Sequence, residues 1–127
     1  MSHSESTTGN YSVTTENGVT IIRFTKHPTL DNVFAIIDIT SEDSMPCKRL
    51  WDISNGLNLT SSELQQIAEY GKAKYLKPSK IAILATNDLA FGLAGMFKVY
   101  RGDEISQTRV FRTNDEAIDW LINDSDK

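Results

Sequence analysis

Alternating polar and apolar residues near the start of the chain predict a β-hairpin. Tyr11, Val13 and Thr15 alternate with more polar neighbours, and the β-branched and aromatic run VTIIRFT follows at 19–25. Asn17-Gly18 lies between the two runs and tolerates the positive φ angles of a type I′ turn. We therefore predict strands at 11–16 and 19–25.

The apolar run at 30–39, LDNVFAIIDI, fits two kinds of element. Its isoleucines favour a strand by propensity. Leu30, Val33, Phe34 and Ile37 instead follow the i, i+3, i+4, i+7 spacing of a helix, and Thr29 is a suitable N-cap. We predict a helix here.

Periodicity and capping motifs predict the remaining elements. A strand at 48–54 precedes a helix at 60–77, which opens with the Thr60–Glu63 capping box and ends before Pro78. The almost continuously apolar run at 80–86 is typical of a central strand covered on both faces. A helix at 88–100, a strand at 108–113 and a helix at 114–123 follow.

The element order is therefore β-β-α-β-α-β-α-β-α. Strands that alternate with helices form parallel sheets through right-handed crossovers. The predicted fold class is α/β, with a mixed five-stranded sheet, an N-terminal hairpin and flanking helices. We expect a single domain at 11–124, preceded by a disordered tail at 1–10 that is rich in Ser and Thr.

The segment from Leu89 to Phe97 carries no charge, although it belongs to a helix of an acidic chain. A helix that is apolar nearly all round is buried on more than one side. One stripe of this helix, from Leu89 to Tyr100, is expected to cover the sheet. The second apolar side, around Phe91 and Gly95, could meet a neighbouring helix, a second subunit or an apolar ligand.

The composition narrows the classes of partner. The chain has 127 residues, a formal net charge of −4 and scattered basic residues, which argues against nucleic-acid binding. A single cysteine, Cys47, and the lack of a signal-peptide pattern suggest a cytoplasmic location. No apolar run is long enough for a membrane span.

No catalytic or metal-binding motif is apparent. The histidines, His3 and His27, are far from Cys47 and from each other in sequence, so neither a nucleophile–base pair nor a zinc-ligand spacing is present. No glycine-rich phosphate loop occurs either. We predict no cofactor, no metal and no catalytic residue.

Polar residues follow two of the predicted strands. Asp52 and Ser54 end one strand, and Asn87 and Asp88 follow Thr86 at the end of the next. Ligands of open α/β sheets bind outside the carboxyl ends of the strands. These residues are candidates for ligand or partner binding, together with Phe91 and Gly95, although caps and turns explain most of them.

Several runs resemble bacterial proteins grouped as SpoIIAA-like, within the STAS and CRAL-TRIO fold types: Leu50-Trp51-Asp52, Ile81–Leu84, Asp88–Met96, Arg109–Arg112 and Glu116–Leu121. The resemblance implies a helix at 30–39 and a phosphorylatable serine at a helix start. Ser61 and Ser62 are the candidates, although Thr60 and Glu63 already explain that segment.

The function expected from these features is a non-catalytic regulatory or protein-interaction module, a homodimer through the 88–100 helix. The alternative is a binder of a small apolar or lipid-like ligand. Enzyme activity is the least favoured of the three.

Overall fold

A mixed sheet of six strands, in the order β1-β2-β3-β4-β5-β6, forms the centre of the computed structural model. The structure describes residues 11–55, 58–102 and 106–123, and the backbone of 5–7. The strands are β1 (Glu5–Thr7), β2 (Tyr11–Glu16), β3 (Val19–Phe24), β4 (Lys48–Asp52), β5 (Ser79–Leu84) and β6 (Ser106–Phe111). The helices are α1 (Leu30–Thr40), α2 (Ser61–Lys74), α3 (Asp88–Arg101) and α4 (Asn114–Ile122).

The predicted α/β class and its mixed sheet are confirmed. β2 and β3 pair antiparallel through a turn in which Asn17 and Gly18 have φ angles of 51° and 79°. β3, β4, β5 and β6 are parallel. The short strand β1 pairs antiparallel with β2 and lies inside the predicted tail. The rest of that tail, 1–4 and 8–10, lies outside the described residues.

Capping motifs set the starts of the helices. In α2, the Thr60 hydroxyl accepts a hydrogen bond from the Glu63 N–H at 3.1 Å, and the Glu63 carboxylate accepts one from the Thr60 N–H at 2.9 Å. Thr29 caps α1 with Asn32 in the same reciprocal manner. In α4, the Glu116 N–H donates to the Thr113 hydroxyl at 3.2 Å, which is one half of a capping box.

The helices form two unequal layers. α1, α2 and α3 pack on one face of the sheet, where Ile22, Ile36 and Ile83 are buried. α4 packs alone on the other face, against Leu50 and Ala82. The connections from β3 to β4, from β4 to β5 and from β5 to β6 all run in the same direction across the sheet. Because such connections share one handedness, their helices α1, α2 and α3 lie on the same face.

β6 lies two residues earlier than predicted, because it begins at Ser106, a buried polar residue that an apolar pattern does not detect, and ends at Phe111. α3 is also oriented differently from the expectation. Its buried line consists of Ala90, Ala94 and Arg101, while Leu89 and Met96, which were assigned to the sheet-facing stripe, are exposed. The two small alanines let the helix axis approach the core closely.

Candidate functional site

The polar residues predicted to meet at the carboxyl edge of the sheet do lie together there. β4 and β5 are adjacent and parallel, so Asp52 and Leu84 are register partners. The Asp52 carboxylate accepts a hydrogen bond from the Ser54 N–H at 3.0 Å and pairs with Arg23 at 3.2 Å. Asp52 therefore fixes the turn after β4 and ties that strand to β3.

Asn87 and Asp88 begin α3 beside this turn. The Asn87 side chain accepts from the Ala90 N–H at 2.8 Å and donates to the Ser54 carbonyl at 3.5 Å. Asp88 accepts from Arg112 at 2.7 Å. These contacts are caps, turns and contacts between strand ends. The side chains of Asp52, Asn87 and Asp88 each have a partner within the chain, and Ser54 takes part through its backbone N–H and carbonyl.

Of the other predicted candidates, Phe91 adjoins this edge cluster, whereas Ser61, Ser62 and Gly95 lie on α2 and further along α3. Ser61 and Ser62 are exposed in the first turn of α2, behind the Thr60 cap. Phe91 lies on α3 under the Arg112 guanidinium, whose Cζ is 4.5 Å from the ring centroid. Gly95 is partly exposed on the same helix, and a Cβ added to it would meet no atom within 4 Å.

The outward side of α3 is an uncovered apolar surface. Among the described residues, six large hydrophobic side chains are exposed, and four of them belong to this helix: Leu89, Phe91, Met96 and Val99. Leu89 is 70% exposed and Val99 is 78% exposed. Gly92, between them, also has open space where a Cβ would stand.

A second unusual region lies at the opposite, amino edge of the sheet. One register row runs across five strands and contains one hydrophobic and four polar residues: Thr15, Thr20, Arg49, Ile81 and Thr108. Its side chains face α1, α2 and α3. The hydroxyls of the three threonines are buried without a hydrogen-bond partner.

Arg49 occupies the middle of this row. Its side chain is only 2% exposed, and its Cζ lies 3.6 Å from the centroid of the Tyr75 ring. The Tyr75 hydroxyl is hydrogen-bonded to Thr40 at the end of α1. The Nε and Nη2 atoms of Arg49, which share one edge of the planar guanidinium, are buried without a partner.

Arg101, the last residue of α3, reaches the same place from the other side. It is 6% exposed, and its Nη2 also lacks a partner. A Cβ added to Gly71 would stand 3.4 Å from the Arg101 Nε and 3.7 Å from the Tyr75 ring. Two buried arginines therefore lie near Tyr75, and the missing side chain of Gly71 makes room for Arg101.

These two guanidinium groups have no carboxylate partner within the part of the chain that the structure describes. Burial lowers the pKa of Arg49, and the charge of Arg101 lowers it further; the opposing effects come from Tyr75 and Cys47. Burial likewise lowers the pKa of Arg101, opposed by Tyr75 alone. Burial also raises the pKa of Tyr75, so that its phenol stays neutral at pH 7.

The internal compensation for these charges is incomplete. Burying an ion costs several kcal/mol after relaxation. The C-termini of α1, α2 and α3 lie at this edge, and a helix C-terminus stabilises a nearby cation by about 0.3–1 kcal/mol, up to ~2 kcal/mol. A desolvated cation–π contact adds ~2 kcal/mol for Arg49 alone. Arg101 has no such ring contact among the described residues.

Two cavities adjoin Tyr75. The first, of about 70 Å³, lies between the sheet and the three helices, and apart from Arg101 its lining is almost entirely apolar. The second, of about 90 Å³, is bordered by the loops that follow α1 and α2 and includes Arg49, Thr40 and Ser79. The first combines an apolar interior with one unpaired charged group, which is typical of a small-molecule site.

The sequence analysis missed Arg49 and Arg101. Two patterns of the sequence are signals of their burial. Arg49 and Trp51 are two residues apart in β4, so their side chains point to the same, core-facing side of the sheet. Arg101 continues the helical spacing of Ala90, Ala94 and Phe97, which lie on the core-facing side of α3. Charged side chains are normally solvated, so a sequence pattern alone does not single these two out.

Comparison with known proteins gives no relative: no family model matches the chain, and neither a curated protein nor a solved structure is significantly similar. The SpoIIAA-like resemblance thus stays a prediction. Within the described residues, no group of His, Cys, Asp and Glu is arranged to hold a metal. No helix in that same part of the chain is long and apolar enough to cross a bilayer.

Proposed function

We propose that this chain is a non-catalytic interaction module of regulatory type that pairs with a second copy of itself through the outward side of α3. The observation that carries the proposal is the concentration of exposed apolar side chains on that helix. Contiguous exposed apolar surface on a folded domain marks interaction sites. The SpoIIAA-like resemblance of the sequence is a weaker, independent support for a non-catalytic role.

The spacing on α3 favours a helical partner. Leu89, Gly92, Met96 and Val99 are separated by three, four and three residues, which is the seam spacing of paired helices. With an antiparallel copy centred on Ala94, Leu89 of one protomer faces Val99 of its partner. Met96 then faces Gly92, so a long side chain enters the space left by a missing one.

Charge complementarity supports the same pairing. Asp88 lies in the first turn of α3, and the basic residue Lys98 lies in its last turn. An antiparallel copy brings the acidic start of one helix to the basic end of the other, and the helix dipoles align favourably. Because the pairing is self-complementary, it closes as a two-fold dimer.

The interface of one helix per protomer is small. α3 has 14 residues and is about 21 Å long at 1.5 Å per residue. Such a pair buries less than the roughly 1,200 Å² of a standard stable interface. We therefore expect a weak dimer, with a dissociation constant in the micromolar range.

Sedimentation equilibrium over the micromolar to millimolar range tests this function. Leu89→Asp should give a monomer at every concentration, because it places a charge in the seam. Leu76→Asp is the matched control, since Leu76 is 78% exposed but lies just after the end of α2 and not on α3. Wild-type protein that stays monomeric throughout, or equal effects of the two variants, would refute the proposal.

A further inference from the structure

α3 has a second, inward side that the proposed dimer does not use. Ala90, Ala94 and Arg101 lie along it and face the core. The apolar cavity of about 70 Å³ is bounded by this side of α3, by α2 and by the sheet. The proposed dimer accounts neither for this cavity nor for the burial of Arg101 in its lining.

We propose that this cavity binds a short-chain carboxylate, with the carboxylate on the Arg101 guanidinium and the alkyl chain against the apolar walls. Arg101 is the charged residue of the cavity lining, and its Nη2 is buried without a hydrogen-bond partner. An anion at this position supplies the missing acceptor and neutralises a buried charge.

Arg49 makes the site more favourable for an anion. It lies over the Tyr75 ring, and the Tyr75 side chain borders the cavity. Two guanidinium charges therefore act on one small, largely apolar region. The ionisable groups bordering the neighbouring cavity include Glu42, Asp43, Lys74 and Lys77, and the two lysines are paired with Asp38 and Asp43.

The surroundings favour a carboxylate over a phosphate. A planar guanidinium can donate two parallel hydrogen bonds to a singly charged carboxylate. A phosphate dianion has more oxygen atoms that need hydrogen-bond donors, and it carries more negative charge. The remaining walls are formed mainly by hydrophobic side chains, among them Phe24, Val33, Ile37, Ile83 and Leu93. The helices also end here with carbonyl groups, which disfavour a second negative charge.

The size of the cavity limits the alkyl chain. An apolar cavity of about 150 Å³ in another protein holds benzene, which has six carbon atoms. By the same ratio, about 70 Å³ encloses roughly three carbons, which is the alkyl part of a four-carbon acid, so its carboxylate has to lie outside this enclosed volume, at the Arg101 guanidinium. Butyrate is therefore the first probe.

Titration of the ¹⁵N-labelled full chain with sodium butyrate, followed by NMR, tests the proposal. The Gly71, Tyr75 and Arg101 amide signals should shift with saturable binding in the low millimolar range. Butyramide has the same shape without the charge and should bind at least ~10-fold more weakly, because it lacks the charge-assisted contact. Octanoate is too long and should also bind more weakly, whereas inorganic phosphate should not shift these signals.

The variant Arg101→Met separates the charge from the cavity. Methionine keeps an apolar side chain of comparable length, and replacing an unpaired buried charge in this way often leaves a fold equally or more stable. Butyrate affinity should fall ~10- to 100-fold, while butyramide affinity should be unchanged. Lys72→Met is the control, because Lys72 is exposed near the end of α2 and does not line the cavity, so it should have no effect on either affinity.

Three results would overturn the proposal. They are the absence of any saturable butyrate shift in the wild-type protein, equal affinity for butyrate and butyramide, and tighter binding of phosphate than of butyrate. Each of these is measured on wild-type protein, so the test does not depend on the folding of a variant. None of them depends on whether α3 also pairs with a second copy.

Discussion

Arg49 lies over the ring of Tyr75, with 3.6 Å between its Cζ and the ring centroid. Both side chains are buried, and the phenol is hydrogen-bonded to Thr40. The contact joins the start of β4 to the end of α2 and, through Thr40, to the end of α1. It holds a positive charge inside the protein without an anionic partner among the described residues.

Replacement of Arg49 by methionine should stabilise the ligand-free protein. The variant loses a cation–π contact but removes a desolvated charge and its repulsion from Arg101. Apolar replacements of buried ionic groups are often neutral or stabilising by ~1–4 kcal/mol. Chemical denaturation measures the change.

The control for this prediction is Arg23→Met. Arg23 is partly exposed and pairs with Asp52 at the surface, so its loss should cost at most ~1 kcal/mol. A large destabilisation by Arg49→Met would mean that the ring contact and the helix termini fully compensate the buried charge. Arg49 would then not be an unsatisfied buried cation.

The elements of this fold were largely predictable because their signals are local. Asn17-Gly18 specifies the hairpin turn, and Thr60 with Glu63 marks the start of α2 within four residues of sequence. The ambiguous run at 30–39 forms a helix, as its spacing indicated. Caps and periodicity determine where elements begin, and they do not depend on distant contacts.

The amino-edge site was not predictable in the same way. Arg49 becomes buried only because β4 lies between β3 and β5 and because three helices cover that face. Its meeting with Tyr75 and Arg101 joins residues that are 26 and 52 positions away in sequence. Such a cluster depends on register and helix placement, which no short segment of the chain contains.

Stability at low pH should depend on Asp38. Its carboxylate accepts a hydrogen bond from the Tyr70 hydroxyl at 2.5 Å and pairs with Lys74 at 3.1 Å. The Tyr70 bond and the Lys74 interactions hold the pKa of Asp38 below its ordinary 3.8. A group with a lowered folded-state pKa stabilises the protein above its unfolded-state pKa and loses that effect as the pH falls.

We therefore expect Asp38→Asn to be less stable than wild type at neutral pH, with a difference that shrinks below about pH 4. Urea denaturation at several pH values measures it. Asp43→Asn is the control, because Asp43 is almost fully exposed and 3.7 Å from Lys77. A difference for Asp38→Asn that is independent of pH would contradict the assigned role.

The contacts among Asp38, Tyr70 and Lys74 also predict how stability changes at alkaline pH, where it should fall as the pH rises. The contact with Asp38 raises the pKa of Tyr70 and that of Lys74. A raised pKa gives stability that is present below the unfolded-state pKa and is lost as the pH rises through the folded-state value. Stability should fall above about pH 10 in wild type, and less in Asp38→Asn.

Gly92→Ala should stabilise the protomer. Gly92 is in the interior of α3, and an added Cβ meets no atom within 4 Å. Alanine in a helix is favoured over glycine by up to ~1 kcal/mol. Gly18→Ala should instead destabilise the protein, because Gly18 has a φ of +79° in the hairpin turn. Thermal unfolding of both variants tests the contrast.

The attachment of α4 to the second face of the sheet is best tested with two adjacent residues. Leu121 is fully buried beside Leu50 and Ala82, whereas Ile122 is exposed. Leu121→Ala removes core contacts and leaves a cavity, which typically costs ~2–5 kcal/mol. Ile122→Ala should change stability by no more than ~0.5 kcal/mol.

These two substitutions also report on how the two layers of the protein cooperate. α4 packs on one face of the sheet, and α1, α2 and α3 pack on the other. β4 and β5 contribute side chains to both faces. If loss of Leu121 lowers the midpoint of a single unfolding transition, the two faces unfold together through the shared strands. An early separate transition, with α1, α2 and α3 still folded, would show that α4 is an independently melting layer.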